Sequence, residues 1–171
     1  MTRPPFEPPT DEDVRIVSLQ LGRPARDVVG IAARCVCGAP TVVSTRPRLS
    51  DGTPFPTFYY LTHPAATAAV STLEAEGRMP QLAALLEGDT AAAYRAAHEQ
   101  YLGDRISVLE VEEIAGISAG GMPDRVKCLH ALVGHALAAG PGVNPIGDLA
   151  LAEAAWSPER CECPDYERTA P

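Results

Sequence analysis

Between Ser118 and His130 the chain places Gly120, Gly121, Pro123, Arg125, Lys127, Cys128 and His130 within thirteen residues. These are the residue types of an anion site. If a helix starts at Met122 or Pro123, its free backbone N–H groups lie just beyond two glycines, which accept positive φ and let a ligand approach the chain. Phosphate or carboxylate binds at such helix ends. The helix end alone contributes only about 0.3–1 kcal/mol to an exposed anion, so fixed cations are also required. At about 100° per residue, Lys127 lies about 200° and His130 about 140° from Arg125, so one helix cannot aim them all at one ligand. Arg46 and Arg48, stiffened by Pro47, and His63 are the natural complement from elsewhere in the chain. The ligand site is therefore expected at Arg46, Arg48, Gly120, Gly121, Arg125 and Lys127, with His63 and His130 as candidate proton-exchanging residues. Neither a phosphate loop nor a dinucleotide fingerprint is present. The pattern defines a ligand class and no reaction. Its plain structural alternative is a tight helix start with solvated charges.

A second chemistry is metal binding. Cys35, Cys37, His63, Cys128, His130, His135, Cys161 and Cys163 are all zinc-ligand types. In a helix Cys128 and His135 stand about 10.5 Å apart, too far for one ion, and Cys128 and His130 point to nearly opposite sides. That helix gives one ligand at most unless its first turn is unwound. Two composite sites remain: Cys35, His63 and Cys128, or the two Cys-x-Cys pairs, Cys35 and Cys37 with Cys161 and Cys163. Neither carries the Cys-x2-Cys signature, and cysteine is often buried as a small apolar side chain. The expectation is no cofactor, with zinc as the alternative. Ser118, Cys128, His130 and Asp148 lack a nucleophile elbow and make no credible triad. Tyr94, His98, Tyr101 and Arg105 share one helical face and read as a packing stripe whose polar groups reach water. Asp51 reads as a turn residue, and Asn144 to Asp148 as a turn and helix cap.

Charge narrows the partners. The net charge of −8 argues against general nucleic-acid or anionic-membrane binding. Residues 64–116 carry nine acids against Arg78, Arg95 and Arg105, an acidic surface suited to a protein partner. Lys127 is the single lysine beside thirteen arginines. Five cysteines form an odd set with no export signal, which favours reduced thiols and a cytoplasmic location. No apolar run approaches the roughly 20 residues that cross a bilayer.

The elements that must position these groups are legible in outline. Thr10 before Asp11, Glu12 and Asp13 starts a helix over 11–21 that Gly22 stops, while Val14, Ile16 and the alternation Val17, Leu19, Leu21 leave a strand open. Strand-like runs follow at 28–33, 41–45 and 55–62, joined by short turns, which predicts an antiparallel meander. After Pro64 the pattern becomes helical at 65–76, 79–86, 90–105, 123–139 and 146–156, with a short strand at 108–111. The result is an α+β fold, a small antiparallel sheet from the N-terminal half packed with helices from the C-terminal half. One domain is expected over 11–156, with a disordered tail at 1–10 and a flexible tail at 157–171.

Gln20-Leu-Gly-Arg23, Arg34-Cys35, Pro47 to Thr57, Leu61-Thr-His-Pro64, Tyr94 to Tyr101, Ser118 to His130 and His135 to Asp148 together resemble domain of unknown function 501. This is a family of small, mainly actinobacterial proteins, and the resemblance covers most of residues 17–150. It implies no established activity. Family members can carry cysteine where this chain has His63, and Cys37 and the Cys161–Cys163 pair lie outside the family pattern. Genes of the family often sit near those for septum formation and for polyphosphate or guanosine-phosphate hydrolysis. That neighbourhood is associational and agrees with a phosphate-like ligand, the alternative being cell-division or stress-response partners.

Overall fold

The computed structural model describes residues 4–166. Helix α1 (Asp11–Leu21) opens on a closed capping box: Asp13 N donates to Thr10 Oγ1 at 3.1 Å, and Thr10 N donates to the Asp13 carboxylate at 3.0 Å. Gly22, at φ 67°, ends the helix in the left-handed region. Strands β1 (Val28–Arg34), β2 (Pro40–Thr45) and β3 (Tyr59–Leu61) form one antiparallel sheet in the order β1-β2-β3, with Val43 opposite both Ile31 and Tyr60. The fold is α+β with a small meander, as the patterning predicts.

β3 is shorter than the apolar run at 55–62. Pro54 and Pro56 have no N–H to give to a ladder. The Phe58 and Tyr59 amides donate instead to Tyr101 Oη, at 2.6 and 3.3 Å. Helices α2 (Pro64–Ala75), α3 (Arg78–Ala83) and α4 (Gly88–Val108) follow. The strand expected at 108–111 is absent: α4 runs through Val108, and a 3-10 turn spans Glu112–Ile114.

Helix α5 (Leu129–Ala139) begins at Leu129 and not at Pro123. Gly120 and Gly121 take φ of 69° and 97°, and the chain closes on itself through Arg125 N to Gly121 O (2.9 Å) and Lys127 N to Gly120 O (2.7 Å). A Cβ at Gly121 would meet Arg125 O at 2.6 Å, so the close approach these glycines permit is that of their own chain.

Helix α5 is the central core element, with Leu129 and residues 131–136 buried. It lies against β3 and against α6 (Pro145–Glu153). Gly147 sets the second contact, because a Cβ there would stand 2.3 Å from Leu132 O. The Tyr94–Arg105 stripe of α4 is buried, and its polar groups are bonded inside the protein instead of reaching water: Tyr94, Tyr101 and Arg105 bond backbone, and His98 Nδ1 lies 2.9 Å from Ser118 Oγ. Arg105 donates to the carbonyls of Pro56, Ile114 and Ile117 at 3.0, 2.8 and 2.5 Å, and Tyr94 Oη donates to Arg125 O at 2.9 Å. Together they tie the long 109–128 connection to the helices. Among the described residues no helix is long and apolar enough to cross a membrane.

Candidate functional site

The β1–β2 turn carries two of the five cysteines. Cys35 N donates to Ala39 O at 2.9 Å and Gly38 N to Cys35 O at 2.8 Å, which folds Cys35 and Cys37 into one tight loop. After α6 the buried Trp156 anchors the chain. Residues 157–163 then run back to the hairpin, where Pro158 O accepts from Val36 N at 2.9 Å. This return delivers Cys161 and Cys163 to Cys35 and Cys37. All four sulfurs lie within 4.8 Å of one another, and Cys37 and Cys163 Sγ are 3.4 Å apart. Tetrahedral zinc with Zn–S bonds of about 2.3 Å spaces its sulfurs at about 3.8 Å, so the set matches a tetrathiolate. The cluster can hold a metal ion such as zinc.

His63 supports it from the side. The residue is fully buried as the N-cap of α2, where Nδ1 accepts from Ala66 N at 3.4 Å. The proton must then sit on Nε2, which lies 3.1 Å from Cys163 Sγ and donates to that sulfur. Burial holds His63 below the usual histidine range, in keeping with this neutral tautomer. Burial also pushes the Cys35 and Cys163 thiols up, and hydrogen bonds from Cys37 and Cys35 add to the rise at Cys163. Cys37, against its own burial, is drawn down by the Ala39 backbone and by Cys163. Four thiols this close cannot all ionise unaided, whereas a bound dication reverses that balance.

A second group, Glu74, Cys128 and His130, also has its ligand-type atoms within 4.8 Å of one another. The sequence geometry that sends Cys128 and His130 to opposite sides assumes a helix at both positions. Because α5 starts at Leu129, Cys128 is extended, with φ −150° and ψ 108°, and the side chains converge. Glu74 Oε1 accepts from Leu129 N at 2.7 Å and lies 3.2 Å from His130 Nδ1. The place an anion would take at the first amide of α5 is filled by the chain's own carboxylate.

The remaining sequence-derived site residues are dispersed in their bonding. Arg48 pairs with both Glu113 oxygens at 2.7 and 2.6 Å and donates to Gly52 O at 2.9 Å. Arg46, Arg125 and Lys127 are exposed. Three cavities, of about 850, 220 and 260 Å³, lie beside α6, between α1 and the sheet, and beside β1, and none of these four cations lines them. Cys35 is a member of the four-thiol cluster and His63 adjoins it, while Cys128 belongs to the other group. Sequence reasoning weighed the four-cysteine set but missed Glu74, an unremarked acid near the end of α2.

No curated protein and no solved structure matches the chain. A family model described as "Protein of unknown function (DUF501)" matches residues 31–152, from β1 through α6. The matched segment contains Cys35, Cys37, Glu74, Cys128 and His130 and stops before Cys161 and Cys163. With most of its length inside that match, the chain belongs to the DUF501 family.

Proposed function

We propose that the protein is a zinc-stapled, non-catalytic interaction domain, in which one Zn²⁺ on Cys35, Cys37, Cys161 and Cys163 fastens the segment after α6 to the β1–β2 hairpin. The single observation behind this reading is the mutual proximity of four sulfurs from opposite ends of the chain. Four thiolates complete a tetrahedral shell and leave no position for water or substrate, which makes the ion a structural clamp. Metal binding of this kind couples directly to folding. The acidic surface of residues 64–116 is the partner-facing side, since its charge repels nucleic acid and anionic lipid alike.

Cobalt(II) substitution tests the clamp. The reduced full-length chain should bind one Co²⁺ with the intense thiolate-to-metal and tetrahedral ligand-field bands of a four-sulfur site, and Zn²⁺ should displace it. A featureless spectrum, or one that survives Cys163→Ser together with Cys37→Ser, would contradict it.

A further inference from the structure

We propose that Cys128 is a nucleophilic thiolate that reacts with small hydroperoxides, paired with the His130 imidazolium, which Glu74 fixes in place. The argument starts from the imidazole. His130 Nδ1 faces the Glu74 carboxylate at 3.2 Å, and Nε2 faces the Thr67 carbonyl at 3.3 Å and Ser71 Oγ at 3.1 Å. A carboxylate and a carbonyl only accept, so both ring nitrogens carry protons. That leaves no lone pair for a metal and gives His130 a positive charge beside the Cys128 sulfur.

Cys128 is the N-cap of α5, where the helix dipole also favours a negative sulfur. The charges facing the pair are the two groups themselves and Glu74 of α2; Lys127, next along the chain, is exposed. The shifts follow this geometry. His130 is pushed up to about 9 by the Cys128 sulfur and, against burial, by Glu74. Cys128 is drawn below the usual thiol range by His130 and, against burial, by the Ala131 backbone.

Cys128 is half-buried and lines none of the three cavities described above, so it suits a small reagent. The sulfur attacks the terminal oxygen of the hydroperoxide and the S–O bond forms as the O–O bond breaks. The departing alkoxide or hydroxide takes the His130 proton. Cysteine is oxidised to a sulfenic acid and the peroxide is reduced to an alcohol or water.

The test uses the reduced full-length chain and peptide-level mass spectrometry, which keeps Cys128 apart from the other four cysteines whether or not they hold metal. Iodoacetamide labelling of Cys128 is followed across pH, and hydrogen peroxide is applied with a cyclic diketone to trap sulfenic acid. Half-maximal labelling is expected below the ordinary thiol value of about 8.5. His130→Asn should raise that midpoint and cut labelling at pH about 6.5 by about tenfold or more. His130→Lys, which keeps a cation beside the sulfur, should restore part of it, a rescue that a purely structural role does not provide. Trapped product should appear at Cys128. A wild-type midpoint at or above about 8.5, or no trapped product, overturns the proposal even if the variants fail to fold. So does a second zinc equivalent that is lost in Cys128→Ser.

Discussion

His63 Nε2 stands 3.1 Å from Cys163 Sγ, joining the first turn of α2 to the segment that follows α6. One imidazole thus caps a helix through one nitrogen and meets the Cys163 sulfur through the other. Replacing it with alanine should weaken zinc binding by about tenfold, as for other groups that orient metal ligands. It should also remove about 1 kcal/mol of helix capping. Competition titration against a chromophoric chelator measures the first effect and thermal melting the second. An unchanged zinc affinity would remove His63 from the metal's surroundings.

Acid sensitivity should follow Asp13. The Arg34 guanidinium, bonded through Nη1 at 2.7 Å, and Thr10 hold this buried carboxyl down to about 2 against its burial. A depressed acid contributes stability above its unfolded value of about 3.9 and loses it as pH falls through the folded one. The contribution, about 2 kcal/mol, is therefore complete above pH about 4 and gone below pH about 2. Urea melts of Asp13→Asn and wild type should differ at neutral pH and converge through that window.

Arg105 is 2 % exposed and donates to three backbone carbonyls. Arg105→Met keeps much of the stem but abandons the Pro56, Ile114 and Ile117 carbonyls. A loss of about 2–4 kcal/mol is expected. Hydrogen exchange should quicken first in residues 109–118, and a uniform change across the chain would argue against this tying role.

Gly147→Ala tests the α5–α6 contact. The added methyl has no room beside Leu132 O, so overpacking should cost about 1–3 kcal/mol. The fall in melting temperature should exceed that of Gly103→Ala on α4, where a Cβ meets nothing within 4 Å.

The sheet and most helices were readable because Thr10, Gly22, Pro64 and Asn144 mark boundaries by local chemistry that the fold leaves intact. The start of α5 was not, because Pro123 is a good first-turn residue while the closure of Gly120 and Gly121 onto Arg125 and Lys127 depends on contacts with the rest of the loop. That one displacement changed the chemistry. It removed the glycines from a helix N-terminus and brought Cys128 and His130 together. The four-cysteine set was visible as two Cys-x-Cys pairs, but only the anchoring of Trp156 and the Val36–Pro158 bond bring residues 126 positions apart, Cys37 and Cys163, to one point.

The most direct measurement of the metal clamp is the zinc content of the reduced, full-length chain by elemental analysis, beside the Cys161→Ser, Cys163→Ser double variant. One zinc per wild-type chain and close to none in the variant is the predicted result. A metal-free wild type that also fails to take up added zinc, or equal zinc in both proteins, would contradict it.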